Sequence, residues 1–221
     1  MNVVYSGPFD LPDVIPLFPL PSALLLPRGQ MPLNIFEPRY VAMVDDALKT
    51  SRLIGIIQPD TADHPRGKPA ELYQVGCVGR ITQFAETGDN RYILTLTGVA
   101  RFSLREELAV LTPYRQASVN YEPFTSDFVA RAGEDDVDRQ AVLTSLKSFV
   151  EANDLQIDWK GISAASNEAL VNALCMMAPF GPREKQALLE AIDLKMRAEL
   201  LVAITEIEVA RRDDGSESPL Q

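Results

Sequence analysis

The feature that most constrains this chain is a change in the period of its apolar residues. Between Tyr73 and Tyr121 they recur at every second position: Tyr92, Leu94 and Leu96, then Phe102 and Leu104, then Ala117, Val119 and Tyr121. Further on they recur at helical spacing, with Val142, Leu146, Phe149 and Val150 on one face. Period two suits a strand with one buried side, and the three-to-four spacing suits an amphipathic helix. Several short strands separated by turn signals, such as Gly88-Asp89-Asn90, predict a closed or half-closed antiparallel barrel. The fold class expected is therefore α+β: an antiparallel β-barrel with one inserted helix, followed by an α-helical bundle.

Proline governs the first third. Ile15-Pro16-Leu17-Phe18-Pro19-Leu20-Pro21 is apolar but broken by three prolines, which donate no ladder hydrogen bond, so it is expected as an edge strand or an irregular wall. Leu24 to Leu26 and Met31 to Phe36 read as further extended pieces. Pro38 suits the first position of a helix, where its missing N–H is not needed. Tyr40, Met43, Val44, Ala47 and Leu48 then form one apolar face. Leu53 to Ile57 reads as a buried strand and Pro59 to Pro69 as a polar loop. In the second half, Ser166 is the expected N-cap of a helix over 167–177, Gly181-Pro182 opens another, and Met196, Leu200, Ile204 and Ile207 share a face of a long last helix. Acids crowd residues 122–138. The expected divisions are thus a barrel over 1–123, an acidic linker over 124–134, a bundle over 135–212 and a disordered tail over 213–221.

Composition narrows the partners. The 221 residues carry a formal charge of −10 and 46% are hydrophobic, enough for a proper core. An acidic surface repels phosphate backbones and anionic membranes on average, and no Lys/Arg run exceeds Arg211-Arg212, so nucleic acid and membrane are not expected partners. No apolar stretch approaches 18 residues and no signal segment is seen. Cys77 and Cys175, distant and in apolar surroundings, read as reduced core residues, which points to the cytoplasm.

Chemistry-bearing motifs are missing. Gly67-Lys68 is the nearest fragment of a phosphate-binding loop, but Ala62 stands where the first glycine belongs and Pro69 where Ser or Thr belongs. Gly161-Ile162-Ser163-Ala164-Ala165 lacks the apolar strand that a nucleophile elbow needs before it, and the single histidine, His64, lies in a polar loop. One histidine and two scattered cysteines make no zinc site of the usual kind. Glu134-Asp135-Asp136 and Asp138 lack the glycine and terminal glutamate of a calcium loop and read as a solvated helix start. No catalytic residue, metal ligand or cofactor is expected.

The residues Ile15-Pro16-Leu17-Phe18-Pro19-Leu20-Pro21 and Pro32-Leu33-Asn34-Ile35-Phe36-Glu37-Pro38-Arg39-Tyr40 closely resemble the N-terminal, substrate-recognition domain of Lon proteases. Val75-Gly76-Cys77-Val78-Gly79-Arg80-Ile81 and Gly98 with Arg101-Phe102 look like further elements of that family. So do Glu184-Lys185-Gln186 with Leu188-Leu189-Glu190, followed by Arg197. These motifs stand in the family's order over roughly residues 10 to 210, and the chain stops where a Lon protease's ATPase and peptidase modules would begin. The resemblance implies a PUA-like barrel with a helical extension, acting without catalysis on unfolded or specific protein segments, as an adaptor with a protease or chaperone partner. It leaves oligomeric state open.

Five residues stand out as candidate partner contacts. Glu37 and Arg39 flank Pro38 at a helix start. Met176, Met177 and Phe180 lie at a helix–helix junction, where soft, polarizable side chains suit either an adaptable binding surface or interhelical packing. Phe18, Leu33, Ile35 and Phe36 are expected as core and wall residues, and Arg101 as a structural hydrogen-bonding residue rather than a ligand contact. The competing expectations are a small-molecule-binding or enzymatic barrel using its mouth, and RNA binding, which the acidity opposes.

Overall fold

Strand-forming and helix-forming patterns separate along the chain, and so do the units they build. A computed structural model describes residues 3–60, 70–154 and 156–213. The chain divides into two compact units, Met1–Ala130 and Arg131–Gln221.

The first unit contains β1 (Val14–Pro19), β2 (Gln30–Ile35), α1 (Pro38–Lys49), β3 (Leu53–Ile57), β4 (Pro59–Asp60), β5 (Glu71–Leu72), β6 (Val75–Glu86), β7 (Tyr92–Glu107) and β8 (Gln116–Asn120). Six of these form one sheet in the order β2-β7-β6-β3-β1-β8, while β4 and β5 pair apart from it. Because β7 also pairs with β8, hydrogen-bonded neighbours run from β7 through β6, β3, β1 and β8 back to β7. Two sequence expectations need correction. The sheet is mixed, since β1 and β3 run parallel. And the proline-broken segment is not at an edge: β1 lies between β8 and β3.

The way β1 tolerates its prolines is visible in the ladder. It pairs with β8 through Val14 to Pro16 and with β3 through Leu17 to Pro19, so its two neighbours take different halves. The Leu17 N–H donates to the Arg115 carbonyl at 2.8 Å and the Val119 N–H to the Asp13 carbonyl at 2.8 Å. In an antiparallel ladder bonded and non-bonded positions alternate, which leaves Pro16 at a position that donates nothing to β8. Pro19 lies beyond the last β8 partner. Neither missing N–H interrupts a bond that the strand otherwise makes.

The alternating segments around Leu94 and Phe102 belong to one 16-residue strand, β7, rather than to separate short strands. Its register against β6 shifts between Ala100 and Gly98, where Val99 has no direct partner. Such a bulge bends a strand and raises its twist, so that β7 serves β2 and β6 at one end and β8 at the other. Gly98 sits in this bend. Its N–H donates to the Gly29 carbonyl at 2.9 Å, and a Cβ there would collide with the Leu26 carbonyl. Inside the ring lie Ile15, Leu17, Leu53, Val78, Ala100, Phe102, Ala117 and Val119, all buried. Leu24, Leu25 and Leu26 are buried without forming a strand.

Segment 122–128, which includes the first residues of the linker expected over 124–134, is built onto β7. Glu122–Phe128 forms 3-10 turns and buries Phe124 and Asp127. Asp127 accepts from the Arg101 backbone N–H, Nε and Nη2, each at 2.9 Å, and the Arg101 guanidinium stacks over Phe124 at 4.6 Å. Arg101 is thus the structural residue its place beside Phe102 suggested. Phe102 points into the strand core while Arg101, one residue earlier, points to the other face.

The second unit is helical: a 3-10 turn at Glu134–Asp136, then α2 (Arg139–Ala152), α3 (Trp159–Ala164), α4 (Asn167–Met177), α5 (Pro182–Glu190) and α6 (Leu194–Asp213). Ser166 caps α4 by accepting the Ala169 N–H at 3.2 Å, and Pro182 stands at the first turn of α5, both as expected. Asp138, the last acid of the run, caps α2 through the Ala141 N–H at 3.0 Å. α6 is the spine, packed against α2, α4 and α5. It buries Leu194, Ala198, Leu201 and Thr205, whereas Met196 and Ile207 from the expected face remain exposed. Residues 214–221 of the expected tail, and Gly67-Lys68 and His64 of the polar loop, lie outside the described residues.

Candidate functional site

The candidate residues fall in two places, one in each unit. In the first unit, Glu37 is the N-cap residue of α1. Its carboxylate does not cap the helix but accepts from Arg39 Nε at 2.9 Å and Nη2 at 2.8 Å. The pair is exposed, and Arg39 also lies over the Tyr40 ring at 4.5 Å. An exposed ion pair contributes at most about 1 kcal/mol, so its chemistry is that of a surface contact. Beneath it Tyr40 packs on Phe18, ring centroids 4.1 Å apart. Burial raises the Tyr40 hydroxyl's pKa, while the Arg39 charge pulls it back down. Phe36, expected in the core, is 62% exposed. It follows the last β2 residue, Ile35, which takes the buried side, so alternation turns Phe36 outward.

In the second unit, the α4–α5 junction separates the three candidates. Met177 is 81% exposed, Phe180 is buried, and Met176 is half-buried with its carbonyl accepting from Lys185 Nζ at 3.4 Å. Burial holds the Lys185 ammonium's pKa below its ordinary value. Met177 and Phe180 line one apolar cleft of about 180 Å³, together with residues of α2 and α6, whereas Met176 does not reach it. Phe149 of α2 meets Phe180 edge to face, ring centroids 6.4 Å apart. Leu146, Leu174 and Leu201 complete much of the wall. Ser145 also lines it, is buried, and its hydroxyl makes no hydrogen bond. Sequence reasoning missed Ser145, yet a signal was present: it lies three residues after Val142 and four before Phe149, a hydroxyl set into an apolar helix face.

Ser163, weighed as a nucleophile, and Glu134 and Asp138, weighed as cation ligands, each have a local partner. The Ser163 hydroxyl donates to the Trp159 carbonyl at 2.8 Å within α3. Glu134 pairs with Arg131 and Asp138 caps α2. Among the described residues no group of three His, Cys, Asp or Glu side chains could hold a metal. Cys77 and Cys175 are buried and form no disulfide; burial pushes the Cys175 thiol up to about 12. No helix among the described residues is long and apolar enough to cross a membrane.

The cleft and the strand ring are found on a chain with clear relatives. Over 202 residues it is 28% identical to a Lon protease of Anaeromyxobacter dehalogenans, covering 88% of this chain and 23% of that one. Over 212 residues it is 30% identical to Lon protease 2 of Sorangium cellulosum, covering 90% of this chain and 25% of the relative. The chain thus spans about a quarter of the length of these relatives. Among solved structures, a Lon N-terminal domain protein from Xanthomonas campestris matches with a TM-score of 0.59 at 22% identity, over 86% of this chain and 97% of that one. The N-terminal domain of a Mycobacterium avium complex Lon protease matches with a TM-score of 0.62 at 16% identity, over 87% and 98%. Both show the same α+β fold. The model of the ATP-dependent protease La (LON) substrate-binding domain matches residues 14–206, nearly the whole chain, and the chain belongs to that family.

Proposed function

We propose that this chain is a non-catalytic polypeptide-recognition module that binds apolar segments of unfolded or specific proteins, and that it serves as an adaptor in cytoplasmic protein quality control. The observation that carries this reading is the apolar cleft of the second unit, with Met177 81% exposed on its lining. Concave apolar sites with a few polar groups are the usual form of a binding site, and exposed methionine supplies an adaptable contact. Family membership supports the same reading, since the matching family model is that of a substrate-binding domain. The ring of strands in the first unit is read as a PUA-like barrel that scaffolds the exposed Phe36, Glu37 and Arg39.

Titration of a fluorescent, permanently unfolded polypeptide with the full chain tests this. Saturable binding is expected, weakened about tenfold or more by Met177→Asp, because a carboxylate on the apolar lining must be desolvated on binding. Absence of binding, with thermal shifts caused by small metabolites instead, would replace the adaptor by a small-molecule-binding protein.

A further inference from the structure

The last helix carries two apolar faces where one would suffice. Toward the bundle, α6 buries Leu194, Ala198, Leu201 and Thr205 against α2, α4 and α5. On its opposite side Met196, Leu200, Ala203, Ile207 and Ala210 follow one another at steps of four, three, four and three residues. Met196 is 42% and Ile207 51% exposed, Ala203 and Ala210 are exposed, and Leu200 is half-buried. A helix that is apolar all round normally lies buried on every side, yet this second stripe is left to water. Its alternating steps have the 3.5-residue period of a two-helix coiled-coil seam, with Met196, Ala203 and Ala210 at d positions and Leu200 and Ile207 at a positions.

The charges beside the stripe say what covers it. Glu199 and Glu206 fall at g positions, and Arg211 at an e position. In a parallel pair of identical helices each g residue faces the e residue five positions further on in the other helix, which sets Glu206 of one copy beside Arg211 of the other, twice over. In an antiparallel pair g faces g, and Glu199 of one copy meets Glu206 of the other as a like charge. Arg211 also donates to Glu208 of its own helix at 2.8 Å, and a guanidinium has donors enough for both carboxylates.

We propose that α6 is a self-association helix through which two copies of this chain pair in parallel, about a two-fold axis along the Met196–Ala210 stripe. The inference rests on that stripe and its flanking charges, not on the recognition reading above. The α6 residues that line the cleft are Leu201, Val202 and Thr205, none of them in the stripe, so pairing leaves both clefts uncovered.

Sedimentation equilibrium of the full chain tests the pairing, in about 0.15 M salt to screen the formal charge of −10. Two heptads give a small interface, so a reversible dimer is expected, half formed at a concentration on the order of 100 µM. Ile207→Glu alters an exposed position and should keep the thermal midpoint of the monomer, while weakening the dimer about tenfold or more by setting two carboxylates in one apolar layer. Glu206→Arg should weaken it about threefold, and Arg211→Glu in the same chain should restore it. Ala210→Cys reports the orientation, because both native cysteines are buried. A parallel pair brings the two new thiols into one layer, where diamide crosslinks them; an antiparallel pair holds them about 25 Å apart at 1.5 Å per residue. A chain that stays monomeric up to about 1 mM, or a dimer indifferent to Ile207→Glu, overturns the self-association helix. A dimer with no crosslink, or one tightened by Glu206→Arg alone, is antiparallel and overturns the parallel pairing.

Discussion

At the scale of single residues, the most consequential side chain is Arg101. A guanidinium 2% exposed is tolerable only because Asp127 meets it with two carboxylate oxygens and also takes its backbone N–H. Removing one member of a buried pair strands the other charge without solvent, which costs about 3–5 kcal/mol. Asp127→Ala should therefore lower the unfolding free energy of the first unit by that amount, read as a lower urea midpoint. A double replacement, Arg101→Met with Asp127→Leu, should recover much of the loss. Equal destabilisation by both variants would mean that segment 122–128 is held by packing alone. Arg101 was legible as structural because it alternates with Phe102. Its partner, 26 residues later in an acid-rich stretch, was not, since nothing local marks which of many acids turns inward.

At the scale of elements, caps and prolines behave as local chemistry requires. Glycine and proline at 181–182, serine at 166 and aspartate at 138 open helices where short-range hydrogen bonding or a fixed φ favours it. Asp138→Ala should cost about 1 kcal/mol in the second unit, the usual worth of an N-cap, read as a lower denaturation midpoint followed by helix circular dichroism. No change would show that the 3-10 turn before it carries α2's start. β2 illustrates a different device. It pairs with β7 alone among the described strands. The Gly98 N–H donates to the Gly29 carbonyl, so alternation from Gly29 puts Pro32 at an outward-facing position of this edge. A proline there denies an incoming strand one donor and guards against edge-to-edge association.

At the scale of the whole molecule, buried ionisable groups set how stability responds to alkali. Burial raises the Cys175 thiol and the Tyr114 phenol each to about 12, Tyr114 aided by its hydrogen bond to Asp46, and raises Tyr121 as well. The unfolded chain releases these protons from about pH 9 to 10, while the folded chain keeps them. Stability is thus fully present below about pH 9 and is lost as pH rises toward 12. Lys185 acts in the opposite sense: burial penalises its charged form, so its contribution improves with rising pH, but three groups outweigh one. Urea midpoints at pH 8.5, 10 and 11 should fall in that order, and less steeply for Cys175→Ala in the second unit. A flat profile would show that these groups ionise without leaving the fold.

The sequence by itself determined the kinds of element and their order: strands where apolar residues alternate, helices where they recur at three and four, starts at Pro38, Ser166 and Pro182. These depend on neighbours within a few residues, and so they are written locally. The family motifs, from the proline-broken run to Arg197, were equally readable in order. Only the tertiary structure decided which strands meet. It placed β1 between β8 and β3, merged two alternating segments into the bent β7, and tied the Tyr121 hydroxyl to the Pro12 carbonyl across 109 positions. It also turned Phe36, expected in the core, outward, and it divided the candidate contacts, turning Met177 outward and Phe180 inward and leaving Met176 off the cleft. Above all it brought Ser145, Phe149 and Phe180 around one space. A helix face records that its residues are apolar, but the shape left between three helices depends on how distant side chains fill it.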